Sequence, residues 1–274
     1  MKKLLLITTI ILSSISADTI SPYSYKLNYG KESAKKSEIG YGVYGSYIFN
    51  SFFMEYGLEN LKREYKESKS ITQNDIALVY NQYLSKDVLS RVGIHYINSD
   101  NKEMNQGKVF ILGAKKFDNE NYDIGIDFYY SSYSNLNDIT VMQFSPFLGL
   151  YFQTNYLPGT IYFKSIYNII TPQTGVGISK NRYFNFSFSN INGNLTSSIS
   201  INGFGTEQFS VNNSGFLVNT QKDKYKNSLS LSLGYRINNR LSIKGESKIF
   251  DFIDEDNHNQ AIKTLYNLNF NITF

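Results

Sequence analysis

Polar and apolar residues alternate with a period of two along much of this chain. The final segment shows it most clearly, because Tyr266, Leu268, Phe270, Ile272 and Phe274 are apolar or aromatic and every residue between them is Asn or Thr. Successive side chains of a β-strand point to opposite faces, so this segment predicts a strand with one apolar and one polar face. Similar alternation recurs at 39–48, 76–84, 88–97, 122–130, 195–202, 229–235 and 241–249.

The connections between these segments fall into two alternating classes. Short polar turns are predicted at 50–51, 85–87, 118–121, 155–159, 190–194 and 238–239, and longer polar connections at 31–38, 66–74, 99–107, 132–138, 170–181, 205–225 and 252–260. Tight turns at one end and long loops at the other are typical of an up-and-down barrel. The pattern therefore predicts an all-β, antiparallel barrel of about 14 strands. The region 205–225 could contain a further strand pair, and twelve and sixteen strands are the alternatives.

One proline interrupts this regular pattern. Pro146 lies inside the apolar run 139–151, and the apolar phase changes there from Ile139 and Val141 to Leu148. A residue without a backbone N–H disturbs strand pairing, so we expect a β-bulge at Pro146.

The first 17 residues predict a secretory signal peptide, 1–17, followed by one domain, 18–274. A short basic start with Lys2 and Lys3 precedes an apolar run at 4–12, and small residues then lead to a cleavage site near Ala17. The apolar run is much shorter than the roughly 20 residues of a membrane-spanning helix.

Composition narrows the classes of function. Of the 27 basic residues, Lys2 and Lys3 belong to the signal peptide, which leaves 25 against 23 acidic residues in the mature chain. That small net charge predicts no nucleic-acid surface. The chain has no Cys, so disulfides do not stabilise the exported protein. No later stretch is long and apolar enough for a membrane helix, so a membrane location would require a closed barrel.

Alternation alone does not decide whether the apolar face meets a protein core or lipid. Tyrosines stand near strand ends on the apolar face at Tyr96, Tyr122, Tyr130, Tyr235 and Tyr266. Such tyrosines are typical of the aromatic girdles at membrane interfaces. The opposite face carries Ser, Asn, Thr and Gly with scattered charges, which suits a water-filled interior. These features favour an apolar face turned toward lipid.

The last strand resembles the C-terminal assembly signal of Gram-negative outer-membrane β-barrel proteins, a group that includes the porins. Asn267 matches its polar position, Ile272 its apolar position and Phe274 its terminal aromatic, whereas Asn269 stands where Gly is usual. The resemblance implies a bacterial outer-membrane location, contact with outer-membrane lipid and lipopolysaccharide, and recognition by the barrel-assembly machinery. The residues of this candidate signal are Tyr266, Asn267, Leu268, Phe270, Ile272 and Phe274.

Charged residues on the polar strand faces are the candidates for lining a pore. By strand parity they are Glu55, Glu59, Arg63, Arg91, His95, Asp123, Asp127, Arg236, Lys244, Glu246, Lys248 and Lys263. Eight strands give a barrel filled by side chains and sixteen or more leave a channel, so an intermediate number allows a narrow pore. We therefore expect a porin-like channel for small hydrophilic solutes. The alternative is a structural or surface-interaction barrel whose lumen is plugged.

Two further chemistries have weaker support in the sequence. Outer-membrane phospholipases and lipid A deacylases resemble one another in carrying His-x-Ser on one strand face, but Ile97 follows His95 at that spacing and no such Ser follows His258. The acidic run 254–256 with His258 could bind a divalent cation, although charged loops are usually just solvated. The sequence assigns no catalytic residue, no cofactor and no metal, and it leaves the oligomeric state open.

Overall fold

A computed structural model describes residues 18–49, 52–102, 105–118, 121–136, 138–154, 157–174, 180–212, 215–218 and 223–274. The predicted signal peptide, 1–17, lies outside the described residues. The strands in chain order are β1 (Thr19–Tyr29), β2 (Lys35–Phe49), β3 (Phe52–Tyr65), β4 (Ile71–Tyr83), β5 (Val88–Ser99), β6 (Gly107–Asp118), β7 (Tyr122–Tyr133), β8 (Ile139–Gln153), β9 (Thr160–Thr174), β10 (Asn181–Asn192), β11 (Leu195–Gly203), β12 (Val211–Asn212), β13 (Leu217–Val218), β14 (Lys224–Asn238), β15 (Leu241–Asp254) and β16 (Asn259–Thr273).

Fourteen of these strands form one closed antiparallel barrel. Each strand of the wall pairs with its neighbour along the chain, β11 pairs with β14, and β16 pairs with β1 to close the ring. The predicted antiparallel up-and-down barrel of about 14 strands is confirmed. The region 205–225 does contain a strand pair, β12 and β13. These two strands form a separate sheet and are not part of the barrel wall.

The two predicted classes of connection lie at opposite ends of the barrel. The connections predicted as short turns are 50–51, 84–87, 119–121, 154–159, 193–194 and 239–240, and they are two to six residues long. Those predicted as longer loops are 30–34, 66–70, 100–106, 134–138, 175–180, 204–223 and 255–258, and they are four to seven residues long except for 204–223, which has 20. At the short-turn end Thr19 pairs with Thr273, and at the loop end Tyr29 pairs with Lys263. The start of β1 and the end of β16 therefore lie together at the short-turn end.

The outer face of the barrel is an exposed apolar surface. Leu112, Leu233 and Ile262 expose 58%, 64% and 56% of their area, and their chain neighbours point inward. In β16 the outward set is Tyr266, Leu268, Phe270 and Ile272, as the alternation predicted. The described part of the chain contains no helix long and apolar enough to cross a membrane.

The predicted β-bulge at Pro146 is wrong. Pro146 pairs in register with Ile126 of β7, and inward positions stay odd-numbered along β8. From Thr140 to Gln153, pairing with β9 lacks partners only at Ser145 and Pro146, and proline has no N–H to donate. The one register shift in this pairing lies at Thr140/Val141. The apolar phase changes for another reason: Val141 is apolar and faces inward because it packs against a loop inside the barrel.

Candidate functional site in the barrel interior

Residues 204–223 connect β11 to β14, and we call this connection the plug loop. Its described residues are 204–212, 215–218 and 223, and Phe209, Val211, Phe216 and Val218 among them pack inside the barrel. Its first strand is held by β8, where the Gln143 amide donates to the Val211 carbonyl over 2.8 Å and accepts from the Val211 N–H over 2.7 Å. Next along the loop, the Tyr183 hydroxyl of β10 donates to Asn212 over 3.0 Å. These bonds satisfy backbone and side-chain groups that would otherwise be buried without partners.

The tip of the plug loop reaches the opposite wall. The His95 ring in β5 lies with Nδ1 2.9 Å from the Gly215 carbonyl oxygen. Phe216 packs edge-on against Tyr44 of β2 at 4.9 Å between ring centroids, and it lies over Gly57 of β3. Gly215 has a φ of 98°, a backbone conformation that glycine adopts without strain. The described parts of the loop therefore cross the lumen from β10 to β2.

Two buried apolar clusters join the plug loop to the wall. The first surrounds Phe209 and contains Ile97, Tyr133, Leu136, Ile139, Val141, Ile170 and Tyr183; the second contains Val79, Val109, Ile111, Tyr129 and Val211, with Phe216 and Val218 packed against it. Phe209 is fully buried, which contributes roughly 1.5–3 kcal/mol relative to an exposed side chain. The half of the lumen near the loop end of the barrel is thus packed like a protein core.

The root of the plug loop is fixed by a buried lysine. The Lys35 ammonium lies 2.9 Å from Asp223, 2.9 Å from Asp254 and 2.8 Å from Asp256. Burial raises the pKa of the Asp223 carboxyl above its ordinary value, although Lys35 lies beside it. Within the described residues no group of three or more His, Cys, Asp or Glu could hold a metal. Within the acidic run 254–256, Asp254 and Asp256 contact the Lys35 ammonium, and Glu255 pairs with Lys224 over 2.7 Å.

The short-turn half of the lumen carries charged side chains on the wall formed by β5 to β9. Arg91 forms an ion pair with Asp127 at 3.1 Å, and Lys115 forms one with Asp123 at 2.7 Å. Asp123 also accepts a hydrogen bond from the Tyr162 hydroxyl over 2.9 Å. These pairs lie side by side along the wall, so the surface is strongly polar without a large excess of one sign.

The facing wall of the same half combines uncharged polar side chains with the inward-facing charged residues Arg236, Lys244 and Glu246. Ser198 and Ser232 share a hydrogen bond of 2.5 Å, and Ser200 and Ser230 share one of 2.8 Å. These pairs sit directly opposite one another on β11 and β14. Ser and Asn side chains continue across β15, β16 and β1, where Ser21 donates to Asn271 over 2.8 Å. Hydroxyls and amides of this kind can exchange hydrogen bonds with water and with polar solutes.

All twelve charged residues proposed from the sequence have inward-facing positions. The structure joins Arg91 with Asp127 and brings His95 to 3.5 Å from Asp75, whereas Arg63 pairs with Glu38. The remaining contacts are Glu55 with Tyr44 and Asn81, Glu59 with Tyr23 and Tyr25, Asp123 with Lys115, Lys248 with the Phe250 ring, and Lys263 with Tyr225. Arg236, Lys244 and Glu246 lie at the alternate positions of β14 and β15 that face the interior. Their role as pore-lining residues stays a prediction.

Sequence reasoning missed several interior groups. Glu38 was assigned to a loop although it belongs to β2, and Glu207 lies in the plug loop. Asp75, Lys115 and Lys164 occupy inward positions that strand parity would have indicated. The signal was present for these three, whereas nothing local indicated that Glu207 would lie inside the barrel.

Comparison with solved structures identifies the fold. TbuX, a toluene transporter of Ralstonia pickettii, aligns with a TM-score of 0.61 at 8% identity, over 94% of this chain and 90% of its own. CymD, a monoaromatic hydrocarbon channel, gives 0.59 at 6% identity, over 98% and 92%. A bacterial polysaccharide outer-membrane secretin gives 0.57 at 9%, over 95% and 100%. The chain has the fold of an outer-membrane β-barrel. No protein-family model and no curated protein matches the sequence.

This fold and the apolar outer face together support a location in the bacterial outer membrane. Outer-membrane barrels have short periplasmic turns and longer extracellular loops. By that rule we expect the plug loop to enter the barrel from the extracellular side. The polar half of the lumen is then expected to open toward the periplasm.

Among the described residues, neither histidine forms the serine–histidine pair that a lipid hydrolase uses. His95 contacts Gly215 and Asp75, and His258 is an exposed loop residue whose ring lies 3.7 Å from Glu255. Within the described chain neither histidine has a serine hydroxyl among these partners. A serine nucleophile needs a base within hydrogen-bond reach, so neither histidine is placed for that chemistry.

Deleting Phe274 should reduce delivery to the outer membrane much more than it changes the stability of a formed barrel. The Phe274 side chain is 72% exposed, and its backbone N–H donates to Asp18 over 3.1 Å, so little packing is lost. Folded protein in outer-membrane fractions, compared with unfolding of the purified variant, separates the two effects. Phe49→Ala, at an exposed aromatic of the same end, is the control. Normal membrane levels of the truncated chain would contradict the assembly-signal hypothesis.

Proposed function

We propose that this protein is a channel for small hydrophilic solutes, narrowed from the extracellular side by its plug loop. The observation that carries the proposal is the polar lining of the periplasmic half of a fourteen-stranded barrel. Paired charges such as Arg91 with Asp127 lie on one wall. The other wall combines hydroxyl pairs such as Ser200 with Ser230 with charged side chains such as Lys244. Barrels larger than about eight strands have room for solutes beyond their own side chains.

The nature of the lining selects the class of solute. TbuX and CymD are described as carrying toluene and monoaromatic hydrocarbons, and they support a transport role for a barrel of this shape. In this chain the periplasmic half presents carboxylates, ammonium groups and hydroxyls. A solute that crosses that half loses water contacts and needs replacement hydrogen bonds. Small hydrophilic solutes can form these hydrogen bonds, whereas an aromatic hydrocarbon has no polar group that could form them with such a wall.

A closed barrel is the second candidate function. It is favoured by the packing of Phe209 and Val211 against buried wall residues, which fills the extracellular half of the lumen. In that case the exposed loops would carry the function, through surface contacts. The two candidates differ in one physical property, which is the permeability of the purified protein.

Planar-bilayer recording of the purified, refolded protein should show discrete conductance steps in potassium chloride. Their size should fall when neutral polymers small enough to enter the lumen are added, because such polymers exclude ions from a water-filled path. Passage of radiolabelled sugars and amino acids into proteoliposomes gives the solute range. A membrane that stays silent with folded protein, both as isolated and after removal of the plug loop, would overturn the channel proposal.

A further inference from the structure

We infer that the short-turn half of the lumen attracts small anions, so that the channel prefers negatively charged solutes, such as carboxylates, over positively charged ones. The effect on transport rests on the proposed channel function. The attraction itself does not, because it follows from which charged side chains this half of the lumen presents without a partner.

The acidic side chains of the short-turn half are mostly held by donors of the wall. Asp123 lies 2.7 Å from Lys115, and Asp127 lies 3.1 Å from Arg91. Each of these pairs combines opposite charges and so has little net charge at a distance. The carboxylate of Glu55 accepts hydrogen bonds from the Asn81 amide and the Tyr44 hydroxyl, which cover it on the β2 to β4 side of the wall.

Four basic side chains of the same half have no acidic partner. They are Lys164, Arg236, Lys244 and Lys248, which face inward and form no ion pair with a described residue. Arg236 and Lys244 are exposed. Lys164 and Lys248 lie over the rings of Phe147 and Phe250, at 4.4 and 4.5 Å from the ring centroids. An aromatic ring stabilises a cation but does not cancel its charge.

Three of these cations form a cluster on β14 and β15. Arg236 stands directly opposite Ser242, and Lys244 follows two residues later on the same face, so the two are diagonal neighbours, about 7–8 Å apart. Lys248 lies further along that face, and Glu246 stands between the two lysines. One carboxylate against three cations leaves the cluster with an excess of positive charge. A wall with such an excess raises the local concentration of anions.

The cluster also has room and hydrogen-bond donors for a solute. Gly234 stands directly opposite Lys244, and a Cβ atom added there would meet no atom closer than 3.7 Å. Thr196 flanks Gly234 on β11, and Asn269 flanks Lys244 on β16. Hydroxyl and amide groups can donate to the oxygens of an anion while the cations supply the attraction.

Acidic residues in the other half of the lumen do not offset this cluster. Asp254 lies 2.9 Å from Lys35, and Glu38 lies 2.6 Å from Arg63. Asp254 and Glu38 are both buried. Their charges are therefore matched by cations within the packed half near the loop end, and a solute in the short-turn half meets the cluster on β14 and β15 first.

Reversal potentials across a potassium chloride gradient measure the preference in bilayers. We expect chloride to be several-fold more permeant than potassium. The ratio should be larger at about 0.1 M than at about 1 M salt, because the Debye length falls from about 10 Å to about 3 Å. Arg236→Gln together with Lys244→Gln should bring the ratio close to one, whereas Glu246→Gln should raise it.

The control for this measurement removes a charge of the same sign from the same end of the barrel. Lys116 lies on the outer face of β6, so Lys116→Gln should leave the permeability ratio unchanged. Channels that prefer potassium, or that do not distinguish the two ions, would overturn the inference while they support the channel function.

A second measurement needs no conductance. The chain has no Cys, so Ser242→Cys places a single thiol on the lumen face opposite Arg236. In folded protein in nanodiscs, this thiol reacts with a sulfonate-bearing and with an ammonium-bearing methanethiosulfonate reagent of similar size. The ratio of the two rates cancels the reactivity of the thiol itself. Ser85→Cys, at an exposed turn of the same end, gives the reference ratio.

We expect the ratio at Ser242→Cys to favour the anionic reagent several-fold over the reference, and to fall to the reference when Arg236→Gln and Lys244→Gln are added. Equal ratios at the two thiol positions would overturn the inference even if bilayers were silent. Silent bilayers with the expected ratios would contradict only the channel function.

Discussion

Replacing residues 208–221 with a short Gly-Ser linker should raise the conductance of the barrel several-fold. The change removes Phe209, Val211 and the tip that contacts His95, while it leaves the backbone bridge between Glu207 and Tyr225 in place. The wall strands keep all of their pairings, because β11 pairs directly with β14. With the crossing segment gone, the extracellular half gains a water-filled path continuous with the polar periplasmic half. Single-channel recording measures the change.

A matched control comes from another loop of the same end. Residues 66–70 are exposed and connect β3 to β4, so shortening that loop by three residues should leave the conductance unchanged. Equal conductance of the wild-type and the plug-loop variant would show that the described loop does not limit passage. In that case the charged wall around Arg91 and Asp127 would be the candidate for the part of the lumen that limits passage.

The absence of cysteine allows the opposite manipulation. A Cβ atom at Gly57 would lie 2.8 Å from a ring carbon of Phe216, so Gly57→Cys with Phe216→Cys places two thiols at the contact between wall and tip. Oxidation should hold the loop in place and keep conductance low. Reduction should restore the wild-type conductance. Together, deletion and cross-linking test the loop in both directions.

The wall of the barrel could be predicted from the sequence because its signals are local. Leu268 and Asn267 are adjacent in the chain and point to opposite faces, and each such pair reports the strand period without knowledge of its partners. The turns are equally local, since Asn238 and Asn239 alone mark a tight connection. Strand count and direction follow from these two signals, and both agree with the closed ring of β1 to β16.

The plug loop could not be placed by the same reasoning. Its polar stretches resemble those of any exposed loop, and its contacts join residues far apart in the chain, such as His95 and Gly215. A signal existed in the wall: Val109 to Leu112 is apolar at every position, which indicates a strand covered on both faces. Ile139 and Val141 gave the same signal, and it was interpreted as a bulge at Pro146. Inward apolar residues in a lipid-facing barrel point to something packed inside.

The sequence predicted which strand face each residue of the candidate site occupies, but not which residue it contacts across the strands. Parity put Glu59, Arg91 and His95 inside, yet it could not say that Asp75 stands opposite Glu59. That contact depends on the register between β3 and β4, which the length of an intervening loop does not determine. Chemistry inside the lumen is therefore a property of register, and the pairing of Asp75 with Glu59 became visible only once the strands were aligned.

Leu231→Lys should lower the free energy of unfolding by about 2–4 kcal/mol, the cost of a cation at the lipid-facing midplane of a barrel. Leu231 is the middle residue of β14 and is 57% exposed on the outer face, so its ammonium group would meet hydrocarbon. The matched control is the next residue. Ser232 points inward directly opposite Glu246, and Ser232→Lys would place its charge beside a carboxylate in the polar half of the lumen. Denaturant unfolding from lipid vesicles should therefore show a large loss for the first variant and a much smaller one for the second. Equal losses at the two positions would mean that the outer face of β14 does not meet lipid.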